Sequence, residues 1–207
     1  MSESLVLIFS NLISKFSNEE ELKFDYWKEI KKSYSQKKRK YHNLLHLENM
    51  ILELENVKDK ISDYDVILLS VFCHDIIYKA TSKDNEEKSA EIAKKCLEKI
   101  NISSEKINKI YNQILATKSH KRSDDSDTNF LLDADLAILG KDWKVYENYI
   151  QQIRKEYSIY PDFLYNPGRK KVLTHFLQFD EILKTDHFKE KYEKMARENL
   201  KREISIL

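Results

Sequence analysis

His42 and His46 stand four residues apart in Tyr41-His42-Asn43-Leu44-Leu45-His46. If this stretch is helical, that spacing puts both imidazoles on one face, one turn apart, where they can share a ligand or a proton. A second pair, His74-Asp75, is joined directly and lies inside the largely apolar run from Asp65 to Tyr78. Burying an imidazole and a carboxylate together is costly unless something pairs with both, and a divalent cation would. A lone histidine on a helix is ordinarily core or surface; the clustering of these residues is what points to chemistry.

The same residues, with their neighbours, resemble the HD superfamily of metal-dependent phosphohydrolases, whose signature is a histidine, a His-Asp doublet and a distant aspartate. The similarity is greatest to a small bacterial branch. It is carried by Tyr41-His42-Asn43-x-x-His46, Phe72-x-His74-Asp75-x-x-Tyr78, Asp84-Asn85-Glu86-x-x-Ser89-Ala90 and Asp133-Ala134-Asp135-Leu136-Ala137-Ile138-Leu139-Gly140, and runs from about residue 37 onward. Cyclic-nucleotide phosphodiesterases share part of the pattern, including Ile114-Leu115-Ala116-Thr117 followed by His120. The purine-clamping segment of those enzymes has no counterpart here, so cyclic-nucleotide specificity does not carry over.

The resemblance implies one divalent metal ion held by His46, His74, Asp75 and Asp135, contributed by separate helices because one helix cannot surround an ion. Imidazole and carboxylate ligands with open positions suit Mn, Fe, Zn, Co or Mg. It further implies a second, mainly water-held cation bridged by Asp75. Asp133 competes with Asp135; the resemblance favours Asp135, and their separation of about 200° around a helix argues against joint ligation. The implied reaction is hydrolysis at phosphorus by metal-activated water, with His42 protonating the leaving group. Glu86 either orients the His42 imidazole or caps a helix.

Arg39, Lys118, Arg122 and Arg169 are candidates to grip a phosphate, Arg by a bidentate fork and Lys as a point charge. His120 is either a substrate or second-metal contact or an exposed helix-end residue. His175 and His187 fall outside the matching motifs. Six of the ten residues from Lys31 to Lys40 are basic, which makes either solvated surface or a phosphate-attracting rim.

The elements that must position these side chains are helices. Two glycines and two prolines in 207 residues argue against the tight turns of a β fold, and apolar residues recur at spacings of three and four. We expect a single all-α domain, an HD-type bundle of about eight to ten helices. Their approximate ranges are 4–16, 20–33, 43–57, 63–80, 85–100, 104–117, 128–139, 142–157, 168–184 and 187–205. Ser62 with Asp65 reads as an acidic capping box, Ser104 as a cap, Gly140 as the end of the helix closing at Leu139, and Pro167 as a first-turn residue. Residues 123–127 and 158–166 read as loops. Phe188, Tyr192, Met195, Ala196, Leu200, Ile204 and Leu207 form one apolar stripe.

Thirty-six basic against thirty-five acidic residues leave no field to recruit nucleic acid or an acidic membrane. Cys73 and Cys96 lack metal-knuckle or disulfide spacing. No apolar stretch approaches the roughly twenty residues of a membrane span, and Leu5–Phe9 lacks a basic flank and a cleavage site, so we expect a cytoplasmic protein, monomeric or a small homo-oligomer. The expected activity is hydrolysis of a small phosphate ester, with nucleotides as the leading partner class. The alternative is a non-catalytic nucleotide-binding signalling module that retains the pocket. A third reading, an interaction protein whose histidines fill a core, requires no metal at all.

Overall fold

Helix α4 (Tyr64–Cys73) is buried at every residue from Val66 onward. A helix that is apolar on all sides needs neighbours on all sides, and α4 has them: α1 (Ser2–Ser14), α3 (Leu44–Glu55), α5 (Asn85–Leu97), α6 (Ser104–Ala116) and α7 (Ser126–Leu136) pack around it. Helix α2 (Glu20–Tyr34) packs on α1 and adds Trp27, Ile30 and Tyr34 to the same core. The computed structural model describes residues 2–207, with side chains from residue 4 onward, and among them there is no strand.

The second half wraps this centre with α8 (Trp143–Glu156), α9 (Asp162–Leu177), α10 (Asp186–Phe188) and α11 (Lys194–Ile206). A π-turn at Lys189–Glu193 joins α10 to α11, so residues 186–206 run on as one rod. Phe188, Tyr192, Ala196 and Leu200 bury its inner face, whereas Met195 is exposed. The wider π-turn rotates the helix enough to leave Met195 outside that face.

Several local expectations are corrected. The helix expected over 63–80 stops at Cys73, and the one expected over 168–184 spans Asp162–Leu177, with Pro167 in its interior and Pro161 at its N-cap. The loop expected at 158–166 therefore shrinks to the residues before Asp162. The caps are Asp63, whose carboxylate accepts from Val66 N–H, and Ser103, which accepts from Lys106 N–H, each one residue from the serine expected. Asp127 is not in an exposed loop: it is buried in the first turn of α7 and accepts from Ser62 N–H, Asp63 N–H and the Lys109 ammonium.

Gly140 does not end a helix by taking a left-handed conformation. It closes a 3-10 turn, Ala137–Gly140, that follows α7. A Cβ placed there would lie 2.4 Å from Tyr192 Cβ and 2.6 Å from its carbonyl oxygen. Asn199 secures the same crossing by donating to the Leu139 and Lys141 carbonyls at 2.8 and 2.7 Å. The obstruction at Gly140 is largely backbone, which cannot swing aside, so Gly140→Ala is expected to cost about 2–3 kcal/mol. Urea unfolding measures this directly, and a midpoint equal to wild type would contradict the crossing.

Candidate metal centre

The His74-Asp75 doublet lies on the turn leaving α4, not within a helix, and side chains from elsewhere satisfy the backbone there. Asp75 N–H donates to the Tyr34 hydroxyl at 3.0 Å. Arg39, buried between the rings of Tyr34 and Tyr78, donates to the Asp75 and Ile76 carbonyls at 2.5 and 3.0 Å. Ser89 Oγ accepts from Ile77 N–H at 3.1 Å, and the Asn85 side chain bonds both Lys79 N–H and its carbonyl at 3.0 Å. Arg39 therefore braces the doublet and is not a phosphate grip on the cleft wall. Asn85 and Ser89 stood inside a matching motif without an assigned role, and their short polar side chains were the signal for this bracing.

His46 sits in the first turn of α3, whose N-cap Asn43 accepts from Leu45 N–H at 2.9 Å. His74 Nδ1 lies 2.8 Å from the Val71 carbonyl. It donates there, and the lone pair is left on Nε2. That atom lies 3.3 Å from His46 Nε2 and 3.3 Å from Asp75 Oδ2, while His46 Nε2 is 3.2 Å from Asp135 Oδ1. Ligand atoms bound at about 2.1 Å stand roughly 3.0 Å apart at a right angle and 3.4 Å apart at the tetrahedral angle. These separations fall within that range, and acceptor atoms crowded so closely need a proton or a cation among them. The residues present therefore fit a metal ion: His46, His74 and Asp75 form one cluster, with Asp135 against its His46 edge.

A proton and an ion compete for these atoms. Burial lowers the His46 pKa, which keeps the imidazole neutral as ligation requires. Burial also acts to lower His74, but Asp75 outweighs it and holds that ring up at about 9. Burial acts to raise both aspartates; His74 instead holds Asp75 below the ordinary carboxylate range, and His120 and His46 do the same for Asp135. The cluster draws in positive charge.

Helix α7 separates the two candidate aspartates. Asp133 is wholly buried and accepts from Lys184 N–H, Thr185 N–H and the Thr185 hydroxyl at 2.6, 2.7 and 2.8 Å, which makes it an anchor for the chain entering α10. Asp135 faces the histidines. His120 Nε2 lies 2.9 Å from its second oxygen, Oδ2. His120 has φ 49°, the left-handed region that non-glycine residues seldom occupy.

His42 precedes the Asn43 cap and is not helical, so the shared-face argument fails in its stated form. Its ring still lies 5.8 Å from that of His46. The group that orients it is Glu156, with Oε2 2.6 Å from His42 Nδ1, and not Glu86. Glu156 Oε1 also accepts from the N–H groups of Lys40, Tyr41 and His42 at 2.7, 2.8 and 3.0 Å, and Oε2 accepts from the Tyr78 hydroxyl at 2.8 Å. Tyr78 stacks on the imidazole, ring centres 4.1 Å apart. Burial works against protonation of His42, but the Glu156 hydrogen bond prevails and raises its pKa. No motif marked Glu156; its signal was an acid on the buried stripe Tyr146, Tyr149, Ile153, Glu156.

Most of these groups open on a cleft of about 570 Å³, with His46 and Glu156 buried behind its wall, a size suited to a small-molecule ligand. His42, His74, Asp75, Glu86, Lys118, His120, Asp135 and Arg169 all reach its wall. Arg39 and Arg122 do not: Arg122 binds Glu181 and the Lys184 carbonyl instead. Arg169 lines the cleft while bonded to both oxygens of buried Glu203. Among known proteins, no family model, no curated protein and no solved structure matches the chain.

Glu156 is held down at about 2: burial acts upward, and the His42 hydrogen bond outweighs it. A depressed carboxyl contributes stability above its unfolded pKa, and that contribution is lost as pH falls through the folded value. Glu156→Gln is therefore expected to cost about 2–3 kcal/mol near pH 7, the gap to wild type closing between about pH 4 and 2. Loss of the carboxylate also lowers the His42 pKa, read by proton NMR. An unchanged His42 titration would remove Glu156 from this role.

Proposed function

We propose that this protein is a metal-dependent phosphohydrolase of the HD type, acting on a small phosphate ester, with nucleotides the leading substrate class. The observation that carries the reading is the convergence of imidazole nitrogens and carboxylate oxygens from three separate segments, 3.2–3.3 Å apart, beside a cleft that also presents an oriented histidine. Within the described residues no helix is long and apolar enough to cross a membrane, consistent with a substrate taken from water.

His46, His74, Asp75 and Asp135 would hold the ion. When bound, a divalent cation polarises a phosphoryl oxygen and lowers the pKa of its water toward neutrality. His42 supplies the proton to the departing oxygen. Its Nδ1 is committed to Glu156, so Nε2 is the nitrogen left to face the cleft, and the Glu156 hydrogen bond favours the protonated ring. Tyr78 and Glu156 fix the plane of that ring, so the proton is presented in one direction. His120 steadies the Asp135 carboxylate through Oδ2 and leaves Oδ1 directed at His46.

Two measurements test this. A divalent ion at a hundred times its Kd is expected to stabilise the fold by about 2.7 kcal/mol, and chelation to reverse it. Phosphate release from a panel of nucleotides and aryl phosphates is expected to fall by about a thousandfold or more in Asp75→Ala with the helical signal retained. Unchanged turnover in Asp75→Ala, or a melting temperature indifferent to every divalent ion tried, would defeat the proposal.

A further inference from the structure

Resting on the reading of this cleft as a phosphoester site, we propose that it selects esters with a single phosphoryl group on an uncharged, largely apolar body and turns away polyphosphorylated ones, with Glu86 setting that limit.

The cleft joins two unlike surfaces. One carries the carboxylates of Asp75 and Asp135. The other comes from α8, α9 and the turn between them, and is apolar and aromatic: Tyr149, Ile153, Tyr157, Leu164, Val172 and Phe176. A flat or apolar organic group suits this second surface.

Positive groups near the cleft are already matched by carboxylates of their own. Arg169 is bonded to both oxygens of Glu203, which is wholly buried, so releasing the guanidinium would strand a charge. Arg154, stacked over Tyr165, is held by Asp162 and the carbonyls of Tyr157 and Tyr160. Lys118 is bonded to Glu87 and the Lys83 carbonyl. A polyphosphate tail needs several free donors of this kind.

Glu86 is the opposite case. It sits in the first turn of α5 on the cleft wall, where its carboxylate accepts from its own backbone N–H and has no ion-pair or hydrogen-bond partner on another residue among the described residues. With Glu156 orienting His42, Glu86 is left to cap its own helix and to face the cleft. Asp75, Glu86 and Asp135 together bring three carboxylates to the cleft, and one divalent ion offsets two. A single phosphoryl group can be accommodated at the metal. Each further phosphate meets an uncompensated acid, and in a partly buried setting a like charge about 6 Å away weakens binding by on the order of tenfold or more.

The test is titration calorimetry on the full chain at buffered free divalent metal, with adenosine monophosphate, adenosine triphosphate and phenyl phosphate as probes. Wild type is expected to bind the monophosphate and phenyl phosphate about thirtyfold or more tighter than the triphosphate. In Glu86→Gln the ratio of monophosphate to triphosphate affinity is expected to fall about tenfold, and in Glu86→Lys further still. A wild-type protein that prefers the triphosphate, or an E86Q ratio equal to wild type, overturns the proposal. The two readings fail separately. The charge preference with no ester hydrolysed in any metal sinks the hydrolase and keeps the filter; brisk hydrolysis with the triphosphate preferred does the reverse.

Discussion

The candidate site depends on α4 ending where it does. Had the helix continued past Cys73, His74 and Asp75 would project about 100° apart around its axis, and the doublet could not turn one nitrogen and one oxygen toward a common point. The chain leaves the helix because its backbone groups find other partners: the Tyr34 hydroxyl, the Arg39 guanidinium, and the side chains of Asn85 and Ser89. A buried arginine is thus used to shape the backbone beneath the site, and it leaves the cleft itself without that positive charge.

This placement of charge recurs through the molecule. Carboxylates that would be costly to bury are each surrounded by donors: Asp133 by the chain entering α10, Glu156 by three consecutive backbone N–H groups together with His42 and Tyr78, and Glu203 by Arg169 and Tyr146. Each finds its hydrogen-bond partners within the protein. At His46, His74, Asp75 and Asp135, by contrast, imidazole nitrogens and carboxylate oxygens face one another at 3.2–3.3 Å, an arrangement that only a proton or a cation can bridge. The contrast between saturated and unsaturated clusters is the physical reason for locating chemistry there.

Much of the scaffold was legible in the sequence. The continuous apolar run of α4 and the spacing along residues 188–200 announced buried helices, and the near-absence of glycine and proline excluded a β architecture. His74 and Asp75 stood out because their types are unusual in apolar company, whereas Asp135 was singled out by resemblance alone. What the sequence hid were choices made by tertiary partners. Asp63 displaced Ser62 as a cap because its own carboxylate reaches Val66 N–H, while Asp127 holds the backbone on either side of that choice. Arg39 and Arg169 carry the residue type for phosphate binding, but which acceptor each would find could not be read from local pattern. Glu156 was hidden because it lies 114 residues from the histidine it orients.

The crossing at Gly140 bears on the order in which the molecule is assembled. Asp135 belongs to the helix whose following turn is pressed against Tyr192 and clamped by Asn199. A chain emerging from the ribosome can seat α7 on the earlier helices α3, α4 and α6 before this turn meets its partners. The clamp behind Asp135 is set once residues near 199 have been synthesised and have docked. Closure of that crossing is thus a late, long-range event, and a nascent chain stalled before that point would be largely helical yet lack the clamp.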